Sequence, residues 1–237
     1  MLLWMGCAAR QMELGEFEVI LPRGGETIQV SQQRELLWVL QPPSVGKGEA
    51  EVEFQSGSYQ FSQETADWAE GTRFRLRQHQ DGLLAFLVED QNGTELATLE
   101  FTLFNTDQLL INVGSLDTSD NRLRLRWEGQ EEPILGTGGQ AWDVDHRKEA
   151  FSLWVSEPGV GKSSTDDYPE DWFITGTRHA SSFPQPFLLL PDRPLGIRIG
   201  TESRIDLDLE ASQEDRMEAV IWDHQTDLLL ITGQNAL

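Results

Sequence analysis

Several residues in this chain have side chains that could do chemistry. Asp143 and Asp145 would share one face of an extended segment, and Asp166 and Asp167 are adjacent. Paired carboxylates are the equipment of general acid–base hydrolysis, yet carboxylates this dense in an acidic chain read first as solvated surface. Gly159-Val160-Gly161-Lys162-Ser163-Ser164 has the look of a phosphate-binding loop. That pattern needs glycine where Ser156 stands and a helix after the lysine, whereas Ser163 to Pro169 is turn chemistry with two carboxylates that would repel a phosphate. The four histidines (His79, His146, His179, His224) are scattered and read as surface imidazoles. With Cys7 the lone cysteine, no metal-ligand spacing, disulfide or cofactor motif appears. No serine lies in a strand-to-helix elbow. The sequence therefore predicts no catalytic residue, no metal and no cofactor.

What stands out instead is Gly136 to Lys162, GTGGQAWDVDHRKEAFSLWVSEPGVGK. Gly136-Thr137-Gly138-Gly139 can hold positive φ and lets backbone pass close to another surface. A polar stretch leads to Phe151-Ser152-Leu153-Trp154, alternating like a short half-buried strand, and then to Ser156-Glu157-Pro158-Gly159-Val160-Gly161-Lys162, a loop ending on a cation. Loops carried by a rigid sheet are where binding groups sit. The plainer reading is a long surface connection between two halves of a sandwich.

The elements that would hold this loop are strands. Arg73-Phe74-Arg75-Leu76-Arg77 and Arg122-Leu123-Arg124-Leu125-Arg126-Trp127 alternate strictly, which turns the arginines to water and Phe74, Leu76, Leu123, Leu125 and Trp127 inward. Asp81-Gly82 and Asn92-Gly93 are hairpin turns. Strand-like runs recur about every ten residues with turn signals between them, the pattern of an antiparallel β-sandwich. Gln41-Pro42-Pro43-Ser44-Val45-Gly46 reads as a loop, Thr65 to Glu70 around Trp68 as one helical turn, and Phe183-Pro184-Gln185-Pro186 as a rigid turn. Trp172-Phe173-Ile174 and Phe187 to Leu190 are buried-strand candidates. Residues 16–237 form one β-sandwich domain on this reading. Residues 1–15 are a tail in which Leu2 to Cys7 has the outline of a truncated lipoprotein signal, without the basic segment that should precede it.

The Gly136 to Lys162 segment resembles the β-sandwich that stands ahead of the catalytic barrel in glycoside hydrolase family 31. There a Gly-x-Gly-Glu-Gln turn leads to a Phe-x-Leu-Trp strand. Within the family the sulfoquinovosidases are most similar, continuing Ser-Glu-Gln-Gly-Val-Gly-Arg and then Phe-Pro-Gln-Pro. Here Gly139, Pro158 and Lys162 replace the family's Glu, Gln and Arg, and the last exchange keeps charge but loses the planar fork. The resemblance implies an all-β fold, a galactose-mutarotase-like supersandwich. It also implies that Gln140, Trp154, Ser156, Glu157, Gly159, Gly161 and Lys162 belong to a segment reaching over the mouth of a sugar pocket. The family hydrolyses α-glycosides with retention, using two aspartates on a (β/α)8 barrel. A barrel takes about 250 residues of alternating strand and helix, and this sequence carries no such pattern. The expected partners are thus a catalytic barrel and a carbohydrate, with the chain itself inactive. The alternative is a stand-alone carbohydrate-binding or structural sandwich, lipid-anchored through Cys7.

Charge narrows the partners further. Eighteen Lys and Arg against 40 Asp and Glu leave −22 over 237 residues. Such a field repels nucleic acid and anionic membrane surfaces. No run approaches the roughly 18 apolar residues of a membrane span.

Overall fold

A computed structural model describes residues 9–55, 58–80, 82–129, 131–138, 144–154 and 183–233. The strands in chain order are β1 (Arg10–Leu14), β2 (Phe17–Leu21), β3 (Ile28–Gln32), β4 (Glu35–Gln55), β5 (Ser58–Ala69) and β6 (Arg73–Gln80). Next come β7 (Leu83–Glu89), β8 (Glu95–Asn105), β9 (Gln108–Ser115), β10 (Arg122–Glu128) and β11 (Leu135–Gly138). The remainder are β12 (Glu149–Leu153), β13 (Pro184–Leu190), β14 (Leu195–Gly200), β15 (Ile205–Leu209), β16 (Arg216–Ile221) and β17 (Gln225–Thr232). They form a nine-stranded sheet ordered β1-β2-β3-β4-β10-β16-β15-β12, with β5 on β4, and an eight-stranded sheet ordered β11-β13-β14-β17-β9-β8-β7-β6. Pairing is antiparallel throughout the described ladders. The all-β sandwich read from the alternation is the fold observed.

Period two explains the layering. In β17, Leu228 and Leu230 point inward and are almost fully buried, and Leu109 and Ile111 of β9 do the same. From the opposite sheet come Val19, Ile28, Trp38, Leu125, Trp127 and Leu207, each at most 2% exposed. Phe86 anchors a run of edge-to-face rings, 6.4 Å from Phe74 and 5.6 Å from Phe101.

Four local readings are corrected. The sheet begins before residue 16: β1 pairs with β2 and buries Met12 and Leu14, the alternate apolar positions of Arg10-Gln11-Met12-Glu13-Leu14. Gln41 to Gly46 is strand, not loop. Arg124 pairs with Ser44 but Arg126 with Gln41, so Pro42 and Pro43 together oppose Leu125 in a bulge. On the other side of β4, pairing with β3 stops at Leu40 and pairing with β5 starts at Val45. The prolines occupy the gap where no ladder donor is needed. Thr65 to Ala69 is also strand, because β4 supplies its backbone partners from Val45 to Glu49 and overrides the helix-forming composition. Lastly, Pro184 to Pro186 begin β13, with Pro184 opposite Gly138.

The two arginine-alternating strands behave differently. On edge strand β6, Arg73 and Arg75 are about half exposed, as expected. On central strand β10 the expectation of water-facing arginines fails. Arg124 and Arg126 are only 13% and 19% exposed at the side chain, because β5 brings Trp68 over Arg124, while Glu70, just beyond its end, pairs with both.

Candidate functional site

Of the loop residues expected at a sugar pocket, Gln140, Ser156, Glu157, Gly159, Gly161 and Lys162 lie outside the described residues, as do Asp143, Asp166, Asp167, Trp172 to Ile174 and residues 1–8 with Cys7. The structure does describe the ground on either side of that loop. Gly136 and Gly138 have φ of 112° and 93°, and a Cβ on either would collide with backbone carbonyls of Phe187 or Phe183. Thr137 between them holds φ 63°, uncommon for a β-branched residue, and is completely buried. Its hydroxyl lies 3.1 Å from Nε2 of His146, which also approaches the Gly136 carbonyl at 3.3 Å. His146 is 1% exposed and 5.5 Å from the ring of Phe151, so it is a core histidine pinning the glycine turn, not a surface imidazole. Asp145 accepts the backbone N–H groups of Ile134 and Arg147, a fold-holding role rather than an acid–base one.

Strand β12 follows with Phe151 and Leu153 buried, as its alternation predicts. It delivers Trp154 to one end of the sandwich, where a cluster missing from the sequence reading assembles. Phe61 of β5 packs edge-on against Trp154 and Trp222, with centroids 5.4 and 5.3 Å away. The Arg204 guanidinium lies 4.4 Å from both the Phe61 and Trp222 rings. It donates to Asp206 and Glu64 at 2.8 Å each and to the Ser152 hydroxyl at 3.0 Å. Trp222 donates its indole N–H to Asp206 at 2.7 Å. Arg122 stands 3.8 Å over Trp222 and bonds to the carbonyl and side chain of Asn121. Burial, and then the neighbouring Arg204 charge, lower the Arg122 pKa against the pull of Asp206 and Glu64. The cluster draws on β5, β10, β12, β15 and the end of β16, so no spacing announces it.

Two hollows flank this end. One, of about 800 Å³, runs over the outer face of the eight-stranded sheet between Glu100, Asn112, Arg198, Gly200 and Asp227. The other, of about 540 Å³, lies between Trp68, Leu96, Leu116 and the Lys47–Asp117 ion pair. Asp117 is held down to about 2 by the Ser119 hydroxyl and backbone N–H, with Lys47 adding to the effect. Among the described residues no group of three His, Cys, Asp or Glu is placed to hold a metal ion. Nor is any described helix long and apolar enough to cross a membrane.

With that geometry in view, the relatives can be placed. No protein-family model matches the chain. The sulfoquinovosidase of Escherichia coli (strain K12) is 28% identical over 135 residues, 56% of this chain and 19% of that protein. The sulfoquinovosidase of Agrobacterium fabrum is 31% identical over 117 residues, 47% of this chain and 17% of that one. Among solved structures, a family 31 sulfoquinovosidase from E. rectale, in complex with the aza-sugar inhibitor IFGSQ, superposes with TM-score 0.72 at 16% identity. That superposition covers 89% of this chain and 31% of the other. The chain is a β-sandwich domain like the N-terminal one of glycoside hydrolase family 31. Its sequence relatives are sulfoquinovosidases, and it spans under a fifth of the length of the curated relatives it matches.

Proposed function

We propose that this chain is the β-sandwich of a family 31 α-glycosidase of the sulfoquinovosidase kind, packed on a (β/α)8 barrel that performs retaining hydrolysis. The carrying observation is the near-complete overlap of this chain with about a third of a sulfoquinovosidase, joined to sequence similarity with two others. The carboxylates best held in the described structure point the same way. Asp145 caps backbone amides, Asp206 and Glu64 serve Arg204, and Glu70 and Glu89 serve the arginines of β10 and β6. Retaining hydrolysis needs instead two carboxyls about 5–5.5 Å apart around an anomeric carbon.

The sandwich's contribution is a wall. Trp154, locked against Phe61, is the last described residue before the segment carrying Ser156, Glu157, Gly159, Gly161 and Lys162. The glycines would let backbone approach a sugar, and Lys162 would bring a cation to the mouth of a pocket in an otherwise acidic protein. The sulfoquinovosidase relatives favour this over a stand-alone glycan-binding sandwich. The test is co-expression of the tagged chain with E. coli sulfoquinovosidase lacking its own sandwich. Co-purification is expected; a chain that never associates with that enzyme contradicts the reading.

A further inference from the structure

Resting on that reading, we infer that the outer face of the eight-stranded sheet, centred on Leu110, Leu229 and Ile231, is the surface against which the catalytic part of such an enzyme packs. An antiparallel sheet with one face in water turns polar residues outward. The nine-stranded sheet does so, with Arg124, Arg126, Asp206, Asp208 and Glu218 on its outer side. The eight-stranded sheet does so only in part. Thr98, Glu100, Asn112, Gln185, Gln225 and Asp227 are polar on its outer side, but Leu110, Phe187, Leu189, Leu229 and Ile231 are outward, apolar and half-buried.

Register makes these residues one patch. Leu110 lies opposite Leu229, which lies opposite Arg198, which lies opposite Phe187. In the next row Ile231 lies opposite Gly196, Gly196 opposite Leu189, and Leu189 opposite Leu135. Gly196 makes room for the Phe187 ring: a Cβ there would stand 2.8 Å from its Cζ. Arg198 is the sole charge in these two rows and is paired with Asp227 at 3.4 Å. No described strand lies across the patch.

Size and charge select the occupant. Spread over five strands roughly 4.8 Å apart, Leu110, Leu229, Phe187, Ile231, Leu189 and Leu135, with Arg198, Gly196 and Gln108 among them, make a mostly apolar centre of a few hundred Å². With the polar margin at Glu100, Asn112 and Asp227 around it, the face matches the core and rim of a domain interface of about 600–1,500 Å². A second copy would set these acidic margins against each other in a protein of net charge −22. The chain accounts for under a fifth of its curated relatives, so most of such an enzyme is available to cover the face.

The test uses the co-expression pair described above, with Leu110 and Leu229 both changed to Asp, and separately both to Thr, a good strand former that keeps the sheet. Circular dichroism of each variant alone reports folding. Recovery of the barrel partner is expected to fall at least tenfold for the Asp pair and partially for the Thr pair. In the unsubstituted complex, carbene footprinting is expected to show Leu110, Phe187 and Leu229 protected relative to the free chain. Equal recovery with the folded variants, or unchanged labelling, overturns the face assignment while leaving the functional reading intact. A homodimer of the free chain that the same substitutions dissolve also overturns it. If the unsubstituted chain recovers no partner, both readings fall together.

Discussion

The guanidinium of Arg204 lies 4.4 Å from the centroid of Trp222, and both side chains bond to the same carboxylate, that of Asp206. One arginine thereby ties together β5, β12, β15 and the end of β16. Its side chain is only 9% exposed. Replacing it with alanine leaves Asp206 and Glu64 without their cation and the aromatic rings without their cap. Arg204→Ala is expected to cost about 2–3 kcal/mol, between the values for exposed and buried pairs. Arg204→Lys should recover less than half of that, since an ammonium cannot fork between Glu64 and Asp206. Urea denaturation of the three proteins measures both numbers.

The glycine turn should discriminate sharply between positions. Gly136→Ala places a Cβ against the Phe187 carbonyl at φ 112°, and a loss of about 2 kcal/mol or more is expected. Gly114→Ala, whose Cβ would meet nothing nearer than the Gln225 Cβ at 3.7 Å, should cost less than about 1 kcal/mol. Thermal melts of the pair compare them directly.

In the core, Trp38 and Trp127 lie 6.3 Å apart, and neither indole N–H has an acceptor among the described residues. Burying such a donor costs about 1–3 kcal/mol, close to what the smaller Phe ring would forfeit in packing. Trp127→Phe is therefore expected to change stability by less than about 1 kcal/mol, whereas Leu125→Ala, beside it in β10, should lose about 2–5 kcal/mol. Equal losses from the two substitutions would mean that the indole N–H is satisfied.

Acid should weaken the protein through particular carboxylates. Asp117 is held at about 2 by Ser119 and Lys47, and Glu89 is lowered first by Arg75 and then by Arg73, against its burial. A depressed folded pKa means that the unfolded chain takes up the proton first. Each contribution is whole above about pH 4, the unfolded range, and fades as pH falls through the folded value. For Asp117 that window runs from about 4 down to about 2. Stability measured against pH should fall less steeply across this interval in Asp117→Asn and in Glu89→Gln than in the unsubstituted protein.

The fold class was legible because strict alternation, as in Arg73 to Arg77 and Arg122 to Trp127, marks a strand whether or not its outer face is later covered. Element edges were less legible where neighbours overrule local chemistry. Pro42 and Pro43 look like a break until a bulge opposite Leu125 and a change of partner strand accommodate them. Arg124 looks exposed until Trp68 arrives from a distant strand. The Phe61, Trp154, Arg204 and Trp222 cluster was invisible for the same reason. Its one local hint is an arginine heading the alternating strand Ile205 to Leu209. The proposed pocket loop was found through its resemblance to a known family, since its residues carry no chemistry that spacing alone would reveal.

On the proposed reading this chain shapes and supports a glycosidase without cleaving bonds itself. The direct measurement is release of 4-nitrophenol from 4-nitrophenyl α-sulfoquinovoside by the purified chain, by sandwich-deleted E. coli sulfoquinovosidase, and by the two co-expressed. No turnover is expected from either alone, and turnover is expected from the pair. Hydrolysis by the chain alone, or a co-purified pair as inactive as its parts, would contradict that reading.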